Sequence, residues 1–521
     1  MILKFLYHRN KIYLLFLFLF SIFINQYYGN RGVFPIDSFH FFDSGYRILN
    51  GDVPFVDYWL VKGPLLDYIQ GIFFLIFGIN WQSYVLHASL INSLITITTF
   101  LVLKNFKLDT AYCFFYSLLL SILAYPSSGT PFIDHHSAFF SLLGIYSLLL
   151  AINNQRKLYW ILMPIFFGFA FLSKQVPAAY VILSVIPILF LYSLTNKTFD
   201  CIKYSFISSF FFIFFVLIFG KSQGITFSSF LNQYIFYPQT IGSERLINLD
   251  LTFKNILQSF ILIYLAIIPL FYQNLKKIFI NRNYIKHNNF FIFLALLCLT
   301  LSLILHQMLT KNQIFIFFLI PILAAFSQIS LNEKKLKFKK QIYLLIVLFC
   351  LFATFKYHLR YNEGRKFHEM GNVNFKLAED AQKIDKKLLG LNWITPKYKN
   401  KPEEEIYLIN QTLLILKKDL RKKMVITNYP FLSIVLEQKL YSPSRVYTGD
   451  GTTHPLRGSK YVTNYKKLMD NLILKNNISV IYVIDTYHEN TNFHYVDLYQ
   501  DCSQEIVLLK HLKSYELKNC I

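Results

Sequence analysis

The sequence predicts a polytopic α-helical membrane protein: about eleven transmembrane helices, one further helix on the outer surface, and a small C-terminal α/β domain outside the membrane. Three observations predict it. Apolar and aromatic content (54% hydrophobic, 18% aromatic, mean hydropathy +0.39) exceeds what a soluble surface carries. Apolar runs near the ~20 residues that a bilayer core requires recur as far as about residue 357. From residue 358 the pattern changes to helices alternating with strands.

The first 28 residues combine a basic start (Lys4, Arg9, Lys11) with an apolar run, and no small-x-small cleavage site follows, so they read as a retained first helix. Further spans are expected over 82–103, 109–125, 134–152, 158–173, 177–195, 203–220, 253–272, 290–306, 313–330 and 341–357. The run from Leu65 to Gly78 is decided by loop charge. With it at the surface, the cytoplasmic segments hold 18 basic residues against seven on the other side, and the Lys334, Lys335, Lys337, Lys339, Lys340 loop faces inward. As a twelfth span it would turn that loop outward. The chain is thus expected as a multi-pass plasma (inner) membrane protein, with its N-terminus cytoplasmic and residues 29–81 and 358–521 extracytoplasmic.

Residues 1–357 form the expected membrane domain and 358–521 the soluble one. In the latter, Asn374 to Leu389, Glu403 to Leu420 and Lys460 to Lys475 have helical patterning, while Met424 to Thr427 and Val480 to Ile484 read as buried strands. Cys113, Cys201, Cys298 and Cys350 lie in or beside apolar runs. The spacing of Cys502 and Cys520 permits a disulfide without demanding one. The net charge of +23 resides mostly in loops and the C-terminal part, so no nucleic acid is needed to explain it.

Charge near a membrane segment is costly unless it has a task, which draws attention to Asp37-Ser-Phe-His-Phe-Phe-Asp43, Gly51-Asp-Val-Pro-Phe-Val-Asp57 and Lys62-Gly-Pro-Leu65. Asp37 also fits as the N-cap of a short helix from Ser38 to Asn50, stopped by Gly51, and Asp43 as a solvated residue on it. This stretch resembles the first external loop of GT-C class membrane glycosyltransferases, in the protein O-mannosyltransferase and aminoarabinose-transferase-like branch. There an aspartate precedes a helix, a Gly-x-x-Pro-Tyr-x-Asp turn follows, and Lys-Pro-Pro-Leu or Lys-Gly-Pro-Leu leads into a surface helix. Ser38 stands where Glu is common and Phe55 replaces the usual Tyr.

The resemblance implies transfer of a sugar from a polyprenyl-phosphate donor to an acceptor hydroxyl on the outer face, the acceptor being a lipid, a glycan or a protein. It places the catalytic base at Asp37, and a single base opposite a leaving group fits inversion. Developing phosphate charge calls for fixed cations, for which Lys62, Lys174 and Arg245 are the candidates; their bland readings are snorkelling lysines and a loop arginine. Asp134 is expected to orient the acceptor or the base, or else simply to cap its helix. Asp57, His40 and His136 are expected in support, whereas His87 and His306 read as packed polar residues.

No cofactor is implied, because the leaving group is a lipid monophosphate and the outer loops lack an Asp-x-Asp motif. Adjacent His135 and His136 point to different helix faces, and a metal held by one of them with Asp37 and Asp134 stays open. Residues 221–252 carry an aromatic segment suited to covering a lipid. The Tyr447–His454 stretch reads as a loop. A rival reading is a transporter or flippase for a lipid-linked saccharide, for which internal repeats and interrupted helices would be expected and are not seen.

Overall fold

The structure is a computed structural model that describes residues 2–311, 314–332, 338–484, 496–518 and Cys520. Lys334, Lys335 and Lys337 of the expected inward loop lie outside the described residues. Among those described, eight helices are long and apolar enough to cross a membrane: Asn10–Gly29, Trp81–Asn105, Ile133–Asn154, Gln175–Asn196, Asp200–Ser222, Phe253–Ile280, Asn288–Thr310 and Lys339–His368. Thr110–Ala124, Lys157–Ser173 and Leu319–Asn332 are shorter apolar helices at the remaining expected runs. The chain is a polytopic helical membrane protein. Pro64–Phe77 is a helix of 14 residues, ~21 Å long and short of the ~30 Å hydrocarbon core.

The chain divides into two compact units. The first comprises Met1–Tyr28, Ala88–Leu217 and Arg245–Phe367. Its centre is Ile133–Asn154, buried almost throughout, as a helix that is apolar on every side must be. Gly144 lets the Lys157–Ser173 helix approach, because a Cβ there would lie 2.4 Å from the Phe167 ring. Polar side chains are paired within the bundle: the Asn92 amide donates to the Ser121 carbonyl at 2.9 Å, and the hydroxyls of Thr99 and Tyr146 meet at 2.9 Å.

The second unit comprises Gly29–His87, Ile218–Glu244 and His368–Ile521. Its sheet has four strands: Lys423–Thr427 pairs in parallel with Val480–Ile484, which pairs antiparallel with Leu512–Leu517, itself antiparallel to Ser503–Leu509. The first two are the expected strands; the C-terminal hairpin is additional. Pro402–Lys418 and Val462–Asn476 match the expected helices. Asn374 to Leu389 is instead a series of single 3₁₀ turns. Asn374, Asp380 and Asp385 each accept the backbone N–H two residues on, and these local bonds compete with the helical ladder.

The units therefore do not follow the expected 1–357 and 358–521 boundary. Trp59 and Val61 of the 29–81 loop belong to the same buried cluster as Met424, Ile426, Ile481 and Leu472. The Trp59 N–H donates to the Pro443 carbonyl at 2.8 Å. The loop is built into the core of the sheet domain because its apolar side chains are buried there. A disulfide joins Cys502 to Cys520, tying the start of the last hairpin to its end.

Candidate active site

In the second unit Asp37 lies in a single helical turn, Pro35–Ser38, and is half-buried. The next helix, His40–Leu49, is capped at its N-terminus by Phe39 with no side-chain bond, so Asp37 is not its N-cap. The Phe34 N–H is instead satisfied by Ser38 Oγ at 2.9 Å. The helix stops as expected: Gly51 has φ +80°, and its N–H donates to the Ile48 carbonyl at 3.0 Å.

His40 is buried on the first turn of that helix, and its Nε2 has no hydrogen-bond partner. Burial pushes its pKa well below the ordinary value, and the charges of Lys62 and Arg445 push it the same way, so the ring is neutral at pH 7. Asp43 overturns its expected solvation. It is buried, accepts a hydrogen bond from Ser433 Oγ, and is pushed up to about 6 by desolvation, against the opposing charge of Arg47. The contact with Ser433, 390 residues away, leaves no trace in local sequence.

Asp57 closes its turn. Its Oδ2 accepts the Val53 N–H at 2.8 Å, its carbonyl accepts Arg47 Nη2 at 3.0 Å, and Lys475 Nζ reaches Oδ1 at 3.0 Å. Phe55 in this turn has φ +70°. Gln233 clasps the loop, accepting from the Leu60 N–H at 2.8 Å and donating to the Phe55 carbonyl at 2.9 Å. That is the structural task of the aromatic 221–252 segment, which continues into the Tyr237–Ile247 helix. Tyr237 OH in turn donates to the His454 carbonyl at 2.6 Å and holds the Tyr447–His454 loop.

Lys62 is half-buried immediately before Gly63, whose φ of +81° starts the Pro64–Phe77 helix with Pro64 in its first turn. That helix packs against His40–Leu49 through glycine on both sides: a Cβ on Gly45 would lie 2.5 Å from Gln70, and one on Gly71 would lie 3.0 Å from Ile48. Lys62 also acts electrostatically on Asp450 of the 447–454 loop.

The remaining candidates stand in the first unit. Asp134 lies in the first turn of Ile133–Asn154, where the N-cap is Phe132 with no side-chain bond, so Asp134 is not a cap either. Lys174 Nζ donates to Asp134 Oδ1 at 2.7 Å, both side chains being nearly buried. Lys174 occupies the extended break (φ −161°, ψ 134°) between two helices and points to a carboxylate rather than snorkelling. His306 Nε2 lies 3.7 Å from the same Asp134 oxygen and has no hydrogen-bond partner, while Nδ1 meets the Gln307 amide at 3.0 Å. Arg245, half-buried on the Tyr237–Ile247 helix, also acts on His306 electrostatically. His306, expected only to pack, is thus where the charges of Asp134, Lys174 and Arg245 converge. His136 stands apart, its Nδ1 3.0 Å from the Phe132 carbonyl and 3.3 Å from Tyr125 OH.

Among the described residues, no group of three or more His, Cys, Asp or Glu stands close enough to hold a metal ion. Sequence reasoning also passed over Asp67 and Arg445. Both are buried and ion-paired, and only the PLLD run beside Lys62 offered a signal for the first.

Residues 61–220 match the family model of the dolichyl-phosphate-mannose-protein mannosyltransferases. The family resemblance is borne out over this stretch, which takes in the Lys62-Gly-Pro-Leu65 motif. The matched stretch includes Lys62, Asp134 and Lys174 and ends before Arg245; it begins after Asp37 and Asp57. It supports a membrane glycosyltransferase. The chain is also similar, at 9% identity and a TM-score of 0.49 over 97% of each chain, to the crystal structure of ArnT from Cupriavidus metallidurans bound to undecaprenyl phosphate. No curated protein matches the chain.

Proposed function

We propose that this protein moves a sugar from a polyprenyl-phosphate donor to an acceptor hydroxyl at the outer face of the plasma (inner) membrane, with inversion at the anomeric carbon. The observation that carries the reading is the family match from residue 61 onward, in a family whose description names a lipid-phosphate sugar as donor and which takes in the Lys62-Gly-Pro-Leu motif. Asp37 acts as base, taking the acceptor proton as the hydroxyl oxygen attacks the anomeric carbon.

Lys62 holds the departing phosphate, since a cation already fixed at a helix start needs no reorganisation when charge develops. The Lys174–Asp134 pair, with Arg245 and His306 beside it, is a second polar centre of the same chain and serves to orient acceptor or phosphate. The test is release of free polyprenyl phosphate from a lipid-linked sugar by purified protein with acceptor present. Asp37→Asn is expected to lower that release by about 100-fold or more, as loss of a general base does, with expression and insertion unchanged. Full activity in Asp37→Asn would refute the mechanism, and no release by the wild type would refute the reaction.

A further inference from the structure

We infer that Arg445, in the C-terminal part of the chain, is a positioning residue for Lys62. The inference rests on the reading of Lys62 as the phosphate-holding group. Asp67 lies one turn into the helix that begins just after Lys62, and it is fully buried. Its Oδ1 accepts from Ser44 Oγ at 2.6 Å, its Oδ2 accepts from Tyr58 OH at 2.7 Å, and Arg445 Nη2 forms an ion pair with the same Oδ2. The Arg445 guanidinium carbon lies 4.9 Å from the Phe41 ring centroid and 5.8 Å from that of Tyr58. Arg47 lies 4.2 Å from the Tyr58 ring and donates to the Asp57 and Ser442 carbonyls at 3.0 and 2.9 Å.

Two buried arginines therefore engage Tyr58, one on each side of the four residues from Tyr58 to Val61 in effect: Arg47 anchors the chain entering them, and Arg445, through Asp67, anchors the helix leaving them. Backbone pairing of Trp59 with Pro443 and Ser444 fixes the middle. Lys62 follows directly, and Pro64, with its fixed φ, starts the helix that carries Asp67. Arg445 contacts Asp67, Phe41 and Tyr58, and it acts through them. Its task is to fix the backbone position from which the Lys62 side chain extends.

The experiment is a double-mutant cycle on the full-length protein in detergent, read by binding of a polyprenyl phosphate free of sugar. Arg445→Met is expected to weaken binding about tenfold in the wild-type background and less than twofold once Lys62→Met is present, because both changes remove the same contact. Arg445→Lys, which keeps the charge, should recover part of the loss. Amide hydrogen exchange of residues 58–66 should rise in Arg445→Met while that of 423–427 is unchanged. If Arg445→Met fails to fold, Asp67→Asn/Arg445→Met, which leaves no lone buried carboxylate, takes its place in the cycle. Equal losses in both backgrounds, or unchanged exchange over 58–66, would overturn the inference. Absence of lipid-phosphate binding by the wild type would refute the proposed function instead, and the exchange result would still decide whether Arg445 holds the loop.

Discussion

Lys174 Nζ lies 2.7 Å from Asp134 Oδ1 in a nearly buried ion pair. Removing one partner leaves an uncompensated charge in an apolar bundle, so Lys174→Met or Asp134→Asn alone should each destabilise by about 3–5 kcal/mol. The double variant Lys174→Met/Asp134→Asn should lose much less than the sum of the two. Thermal unfolding in detergent checks this, and additive losses would show that the two residues are not coupled. His306→Gln, which keeps an amide where the imidazole nitrogen lies, should preserve the fold and alter activity alone.

Trp59→Ala tests whether the 29–81 loop belongs to the core of the sheet domain. A large buried aromatic removed from a packed cluster costs about 3–5 kcal/mol. The expected outcome is faster proteolysis of the region beyond residue 368. Unchanged proteolysis would separate the loop from that core.

Glu405 makes stability depend on pH. It is buried, accepts from Trp393 Nε1 at 2.9 Å, Thr395 Oγ1 at 2.8 Å and Tyr429 OH, and desolvation pushes it up to about 7 from an ordinary 4.5. A carboxyl raised in the folded state stabilises in its protonated form. The contribution is fully present below about pH 4.5 and is lost as pH rises through 7, in total about 3 kcal/mol. Glu405→Gln should flatten the unfolding profile between pH 5 and 7.5. An unchanged slope would assign that dependence elsewhere, Asp43 with its value of about 6 being the next group to replace.

The Cys502–Cys520 disulfide closes a loop with a separation of 18 residues, for which chain entropy assigns about 3 kcal/mol of stability. If the C-terminal part faces an oxidising compartment, alkylation of whole cells without reductant should leave both thiols unlabelled, and Cys502→Ser should lower the unfolding temperature. Full labelling of both cysteines in folded protein would place them in a reducing compartment and reverse the assigned orientation.

Apolar runs were legible because a membrane helix satisfies its own backbone and announces itself by length and hydropathy alone. The Gly51 stop, the Gly63-Pro64 helix start and the paired strands at 424–427 and 480–484 were legible for similar local reasons. Asn374 to Leu389 misled because its apolar spacing suits a helix, while three Asx turns satisfy the backbone more locally still. Asp43 misled because an acidic residue beside an exposed-looking turn carries no sign of the Ser433 that will cover it.

By itself, then, the sequence determined a many-helix membrane protein with a charged loop of recognisable family likeness, since composition, period and a short motif are properties of neighbouring residues. Only the tertiary structure decided that this loop shares a core with the C-terminal sheet, that Asp134 belongs to Lys174 and His306 rather than to a helix cap, and that Arg445 pairs with Asp67. Each of these depends on contacts between residues about 40 to 400 positions apart, where burial strengthens charge–charge coupling and no local pattern records the partner.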